Sequence, residues 1–150
     1  MPVTLRQAVL SDMGMLNGVF RRASLANQDD RGHLLSRPDA LKLADDGVRE
    51  GRTTVAEDPG GSIVGFASYL VSGDEIELED LFVDPKWMRL GIGRALVLDI
   101  AAAARELGFD RLEVTANPHA MTFYQRTGFV ADRVVETAFY PALRMHRSTT

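Results

Sequence analysis

The chain contains no cysteine. Disulfides, thiolate metal sites and a cysteine acyl-enzyme are thereby excluded, and the composition fits a cytoplasmic setting. Long apolar runs are missing as well. The stretch Ile63–Gly73 falls short of the roughly 20 apolar residues that cross a bilayer, so no membrane partner is expected. The opening MPVTLRQAVLSD has no apolar signal core. Nor is there a basic block: 17 Lys and Arg stand against 21 Asp and Glu, giving a net charge of −4. That balance argues against nucleic acid as a partner. The three histidines, His33, His119 and His146, show no metal-ligand spacing, and no Gly-x-Ser-x-Gly occurs. No metal is expected.

What is present suits one globular domain over residues 1–150, with 45% hydrophobic and 25% charged residues. Val3 to Ala8 reads as a strand. Ser11 or Asp12 then caps a helix with Met15, Leu16, Val19 and Phe20 on one face. Ala26 to Arg37 is a polar connection. A second helix opens at Pro38 and Asp39, carries Leu41, Leu43, Ala44 and Val48, and ends before Gly51. Thr53–Glu57 and Ser62–Val71 form a hairpin around Asp58-Pro-Gly-Gly61. Arg111–Ala116 alternates as a strand, Pro118–Thr127 is a short helix, and Phe129–Glu136 and Ala142–His146 are the last strands. This order predicts an α+β fold with a mixed, mostly antiparallel sheet flanked by helices.

The chain is organised around Glu75 to Leu96. Alternating apolar residues and then Pro85 mark a strand. Leu96, Ile100, Ala103 and Leu107, with Gly108 as the stop, mark a helix. Between them Gly91 and Gly93 permit a tight turn. The peptide N–H groups of Leu90, Gly91, Ile92, Gly93 and Arg94 would lie at a helix N-terminus without intrahelical acceptors, a place that binds phosphate. An ordinary strand-to-helix turn would have the same glycines. The motif is neither a Walker A loop nor a good dinucleotide fingerprint, because Leu96 stands where a third glycine would be.

The strand carries a second signal. Its apolar positions are even before Glu79 (Ile76, Leu78) and odd after it (Leu81, Val83). A strand changes faces only by inserting a residue, so a β-bulge is expected near Glu79–Asp80. A bulge leaves backbone groups free to bind something beside the strand.

This strand, turn and helix resemble the acyl-CoA-binding segment of the GNAT superfamily of N-acyltransferases, with its Gln/Arg-x-x-Gly-x-Gly/Ala turn. Downstream, Asn117, Ala120, Phe123-Tyr124 and Gly128-Phe129 are similar to the second signature of that family. Met88 departs from the pattern by standing where the family has Gln or Arg; Arg89 follows it. The resemblance implies a GNAT-like fold, acetyl-CoA as co-substrate and a small-molecule or peptide amine as acceptor. It implies a cofactor site formed by Leu81, Phe82 and Val83 of the strand, Met88 to Arg94 of the turn, Asn117 and Tyr124. A backbone N–H near Phe82 or Val83 would polarise the thioester carbonyl.

Tyr124 is either a core aromatic with its hydroxyl at the rim or, as the resemblance implies, the acid that protonates the departing CoA thiolate. Asn117 caps the short helix by position; the resemblance adds a hydrogen bond to the pantetheine arm or the neighbouring strand. Trp87 is expected to pack the loop, and His119 to be exposed. An alkylamine of pKa about 10.4 must lose a proton to attack a thioester, a deficit of roughly 4 kcal/mol near neutrality. A carboxylate on the acidic strand can take that proton, Glu79 first and Glu77 second. The alternative is a module on the same fold that binds acyl-CoA without catalysis. A homodimer through the last strands is a further expectation, and Asp29, Asp30, Arg31 and His33 are offered as lining for the acceptor.

Overall fold

The computed structural model describes residues 3–26, 43–137 and 141–150. Its frame is a seven-stranded sheet: β1 (Thr4–Gln7), β2 (Thr53–Glu57), β3 (Ile63–Ser72), β4 (Glu75–Val83), β5 (Arg111–Ala116), β6 (Val130–Glu136) and β7 (Pro141–Ser148). The spatial order is β1-β2-β3-β4-β5-β7-β6. Every pairing is antiparallel except β4 with β5. That parallel pair requires a crossover, supplied by α3 (Ile92–Glu106). The sheet is therefore mixed and mostly antiparallel, as expected.

Two cores cover the two faces. One gathers Ile76 and Leu78 of β4, Leu112 and Val114 of β5, and Ile92, Leu96, Val97, Ile100, Ala101 and Ala104 of α3. The other joins Leu16 and Val19 of α1 (Met13–Ala26) to Val48, Val55, Ile63 and Phe66. β3 contributes to both, which is why its sequence is apolar at consecutive positions. On α3 the buried stripe includes Val97, Ala101 and Ala104, whereas Leu107 of the expected stripe is exposed beyond the helix end. Met15, expected on the inner face of α1, is exposed too.

Local chemistry fixes the joints. Leu10–Asp12 form a 3₁₀ turn that runs into α1. The Asp12 carboxylate accepts the Val9 N–H at 2.8 Å and both Arg6 guanidinium nitrogens at 2.9 and 3.0 Å. Arg6 hydrogen bonds hold Asp12 below the usual carboxylate range. The cap position is thus Val9 rather than Ser11 or Asp12, and Asp12, three residues on, reaches back to satisfy its N–H. Gly108, at φ +93°, ends α3 in the left-handed conformation that a β-carbon resists.

The expected second helix is corrected. Among the described residues it is the four-residue α2 (Asp46–Arg49), and positions 43–45 are not helical. The proposed start at Pro38 and Asp39, Leu41, the connection to Arg37, and Asp29, Asp30, Arg31 and His33 lie outside the described residues. The short C-terminal helix, α4 (Met121–Arg126), starts later than expected, because residues 118–120 form turns ahead of it. No helix among the described residues is long and apolar enough to cross a membrane.

Candidate active site

The site begins with the bulge. β3 pairs Ser68 with Asp80 and Tyr69 with Leu78, leaving Glu79 as the extra residue of β4. Ile76 and Leu78 face α3 before it; Leu81 and Val83 do so after it, while Phe82 turns to the α1 side beside Phe20 and Phe66. Glu79 and Asp80 consequently share one face. The Ser68 hydroxyl lies 2.9 Å from Asp80 Oδ2 and 3.3 Å from Glu79 Oε1.

Beyond the bulge the sheet opens. β4 and β5 are in register only at Glu77–Glu113 and Leu78–Val114. From there the rest of β4 has no registered partner on its β5 side. The direction of each N–H follows from strand alternation. Asp84 donates to Val64 of β3 at 2.8 Å. Phe82, two residues earlier, points to β3 as well, and its carbonyl oxygen would lie 3.2 Å from a β-carbon at Gly65. Leu81 and Val83 therefore direct their N–H groups into the opening. Of the two N–H groups named from sequence, that of Val83 points away from β3, whereas that of Phe82 points to β3 and is not free to meet a ligand.

The turn sits at the mouth of this opening. Pro85–Trp87 make one 3₁₀ turn, with Asp84 accepting the Lys86 N–H at 3.2 Å. Asp84 also pairs with Arg22 of α1 at 2.8 Å, which anchors the end of β4. Arg89 at φ 65° and Gly91 at φ 85° then reverse the chain in left-handed steps, and α3 begins at Ile92. The first bond into the helix runs from Ala95 to the Gly91 carbonyl at 3.0 Å. The preceding N–H groups, Gly91 to Arg94, are those a helix leaves without acceptors. Gly93 has a steric reason: a β-carbon there would lie 3.1 Å from the Phe123 ring.

Side chains around the turn have separate roles. Met88 and Leu90 are exposed, as is Arg89. Arg94 donates to the Arg126 carbonyl at 3.3 Å and so ties α3 to α4. Trp87 packs against the α3-side core, as expected. Asn117 Oδ1 accepts the Ala120 N–H at 2.9 Å, the bond a capping residue makes, although regular helix starts only at Met121.

Tyr124 is 8% exposed and lies edge-on to Phe123 and Phe129, with ring centroids 5.2 and 5.3 Å away. Its hydroxyl has no hydrogen-bond partner among the described residues. Burial pushes the phenol well above its ordinary value, and the negative charge of Asp80 adds to the effect. The phenol is therefore held in its protonated form chiefly by burial.

The acids divide by environment. Glu77 belongs to a network across three strands, bonded to Arg144 at 2.7 Å and to Thr115 at 3.2 Å. Glu79 is paired with Arg52 at 3.0 Å. Asp80 differs from both: burial raises its carboxyl above the ordinary value, and the charge of Glu79 raises it further, against lowering by Ser68 and Arg52. A pocket of about 450 Å³ opens beside the bulge, with Phe20, Val48, Arg52, Phe66, Glu79 and Asp80 in its wall. Asp80 thus forms part of the wall of this pocket. Sequence reasoning passed over Asp80, although the inferred bulge implied that two successive carboxylates share a face.

The bulged strand, the gap beside it and the turn of helix-start N–H groups are the features the sequence led one to expect. The model of the acetyltransferase (GNAT) family matches residues 21–129, and the chain belongs to that family of N-acetyltransferases. It is 30% identical over 114 residues to glucosamine 6-phosphate N-acetyltransferase of Trypanosoma brucei brucei, covering 67% of this chain and 78% of that one. The fold resembles the PaiA N-acetyltransferase of Thermoplasma acidophilum in complex with coenzyme A, with a TM-score of 0.74, 16% identity and 99% of each chain covered. It also resembles a phosphinothricin acetyltransferase of Sinorhizobium meliloti in complex with AcCoA, at TM-score 0.73 and 19% identity over 99% of this chain and 89% of that one. The fold is the GNAT fold.

Proposed function

We propose that the protein transfers an acetyl group from acetyl-CoA directly to a primary amine held in the pocket beside the β4 bulge. The observation that carries this reading is Asp80, half-buried in the wall of that pocket, where the Ser68 hydroxyl lies 2.9 Å from its Oδ2 and no arginine pairs with it among the described residues. The opening of β4 from β5 suits the pantetheine arm, and the N–H groups of Gly91 to Arg94 suit the pyrophosphate. Met88 weakens neither function, because both rest on backbone donors.

In this mechanism Asp80 takes the proton from the acceptor ammonium, which frees the nitrogen lone pair for attack on the thioester carbon. Val83 N–H, or Leu81 N–H, donates to the carbonyl oxygen as negative charge develops there. As the carbon–sulfur bond breaks, Tyr124 gives its proton to the sulfur. Asp80 and Tyr124 act in sequence: protonation of Asp80 removes one of the two influences that hold the phenolic proton, burial being the larger. Asp80 passes that first proton to solvent, takes the second proton from the nitrogen as the tetrahedral intermediate collapses, and hands it to the Tyr124 phenolate, so that amide, free thiol and one solvent proton result. Glu79 and Glu77, the acids proposed from sequence, become supporting residues, since each already binds an arginine.

A coupled assay tests the reading. Thiol release from acetyl-CoA should require an amine, with the acetylated amine appearing in equal amount by mass spectrometry. Acetyl-CoA binding without amine-dependent thiol release would indicate a binding module instead.

Gly91→Ala probes the turn. A β-carbon at φ 85° meets no atom within 4 Å, so its cost is conformational, about 1–2 kcal/mol. Where that strain distorts the bound turn, acetyl-CoA affinity falls by about tenfold while the melting curve stays cooperative. A titration of the variant reads both.

A further inference from the structure

Building on the acetyl-transfer reading, we infer that the acceptor carries a second positive charge and no acidic group, as a short alkyl diamine does. The pocket beside the bulge is walled by Asp46, Glu79 and Asp80 against a single described cation, Arg52. That arginine is already spent. Its side chain is only 11% exposed, and it bonds Glu50 at 2.7 Å, Glu79 at 3.0 Å and the Tyr69 carbonyl. An incoming carboxylate or phosphate would have to displace a protein acid from it.

A cation meets the opposite situation. Asp80 receives the reacting amine. Asp46, at the start of α2, lines the same pocket, and no described side chain pairs with its carboxylate. Glu79 adds negative charge that Arg52 offsets. The walls between them are apolar: Phe20, Phe66, Leu70 and Val48 suit a methylene chain, and an aromatic face beside a cation adds further attraction. At about 450 Å³ the space lies in the range of small-ligand pockets, roughly 300–1,000 Å³. The acidity that the sequence shows along β4 is thus divided between proton transfer at Asp80 and selection of a cationic acceptor.

Three four-carbon compounds separate the possibilities: putrescine, butylamine and γ-aminobutyrate. The wild-type protein should acetylate putrescine with a kcat/KM about tenfold above butylamine, after allowing for its two equivalent amines, and should use γ-aminobutyrate least. The difference should lie in KM. In Asp46→Asn the ratio of putrescine to butylamine should fall towards one. Binding is read separately, by calorimetric titration of each compound into wild-type protein saturated with CoA. Acetylation of all three with γ-aminobutyrate equal to or better than putrescine would overturn the inference and leave the transfer reading standing. Binding in the expected order without acetylation would do the reverse. Failure of putrescine to bind at millimolar concentration would also overturn the inference.

Discussion

Asp80→Asn should lower kcat for amine acetylation by about 10²- to 10³-fold, within the range of a lost general base. The substitution keeps the shape and a hydrogen-bond acceptor for Ser68 but removes the ability to take a proton. In the wild type, kcat should rise with pH through the Asp80 titration, which burial places above the ordinary carboxylate value. The variant should lack that limb. Stability should move the other way. Because the folded chain holds the Asp80 proton more tightly than the unfolded chain, wild-type stability falls as pH rises from about 3.9 through the raised folded value. The neutral amide carries no such loss. Near neutral pH Asp80→Asn should therefore melt at a higher temperature than the wild type while turning over far more slowly. A variant that is both active and less stable would mark Asp80 as a structural residue.

Tyr124→Phe should lower kcat by about 10²-fold with little change in acetyl-CoA affinity. The phenylalanine ring retains the edge-on contacts with Phe123 and Phe129, so the loss belongs to the hydroxyl. The wild-type phenol should give no alkaline limb in the ordinary working range, because burial and Asp80 hold its proton. With an acyl donor whose thiol is more acidic, the sulfur needs less help, and the defect should shrink. Stopped-flow thiol release with the two donors measures both effects. Full turnover by Tyr124→Phe would exclude its role as the acid.

The parts of the fold that were legible in the sequence are those with a period. β2, β3, β4 and β5 alternate or run apolar between clear turns, and the change of parity at Glu79 marks the bulge. Gly91 was legible because glycine takes a left-handed φ without the penalty of a β-carbon, whereas Arg89, left-handed too, gave no sign of it. What resisted was information held across strands. Glu77 and Glu79 look like free acids in sequence, yet Arg144 and Arg52, 67 and 27 residues away, engage them. That the Phe82 N–H points to β3, and so is not free to donate to a thioester carbonyl, follows only from which neighbour its strand bonds. The choice of Asp80 depends on burial, which the run of acids conceals. The second helix failed for a different reason: Leu43, Ala44 and Val48 have helical spacing, but only residues 46–49 of that stretch are helical among the described residues.

The central claim is that the opening beside β4 and the turn before α3 together hold acetyl-CoA. Calorimetric titration of the purified protein with acetyl-CoA tests it most directly, with 3′-dephospho-CoA and free pantetheine as comparisons. The account predicts saturable binding that survives loss of the 3′-phosphate and weakens sharply when the pyrophosphate is removed. Binding of pantetheine as tight as that of acetyl-CoA would contradict the role of the Gly91–Arg94 donors, and no binding at millimolar acetyl-CoA would contradict the claim as a whole.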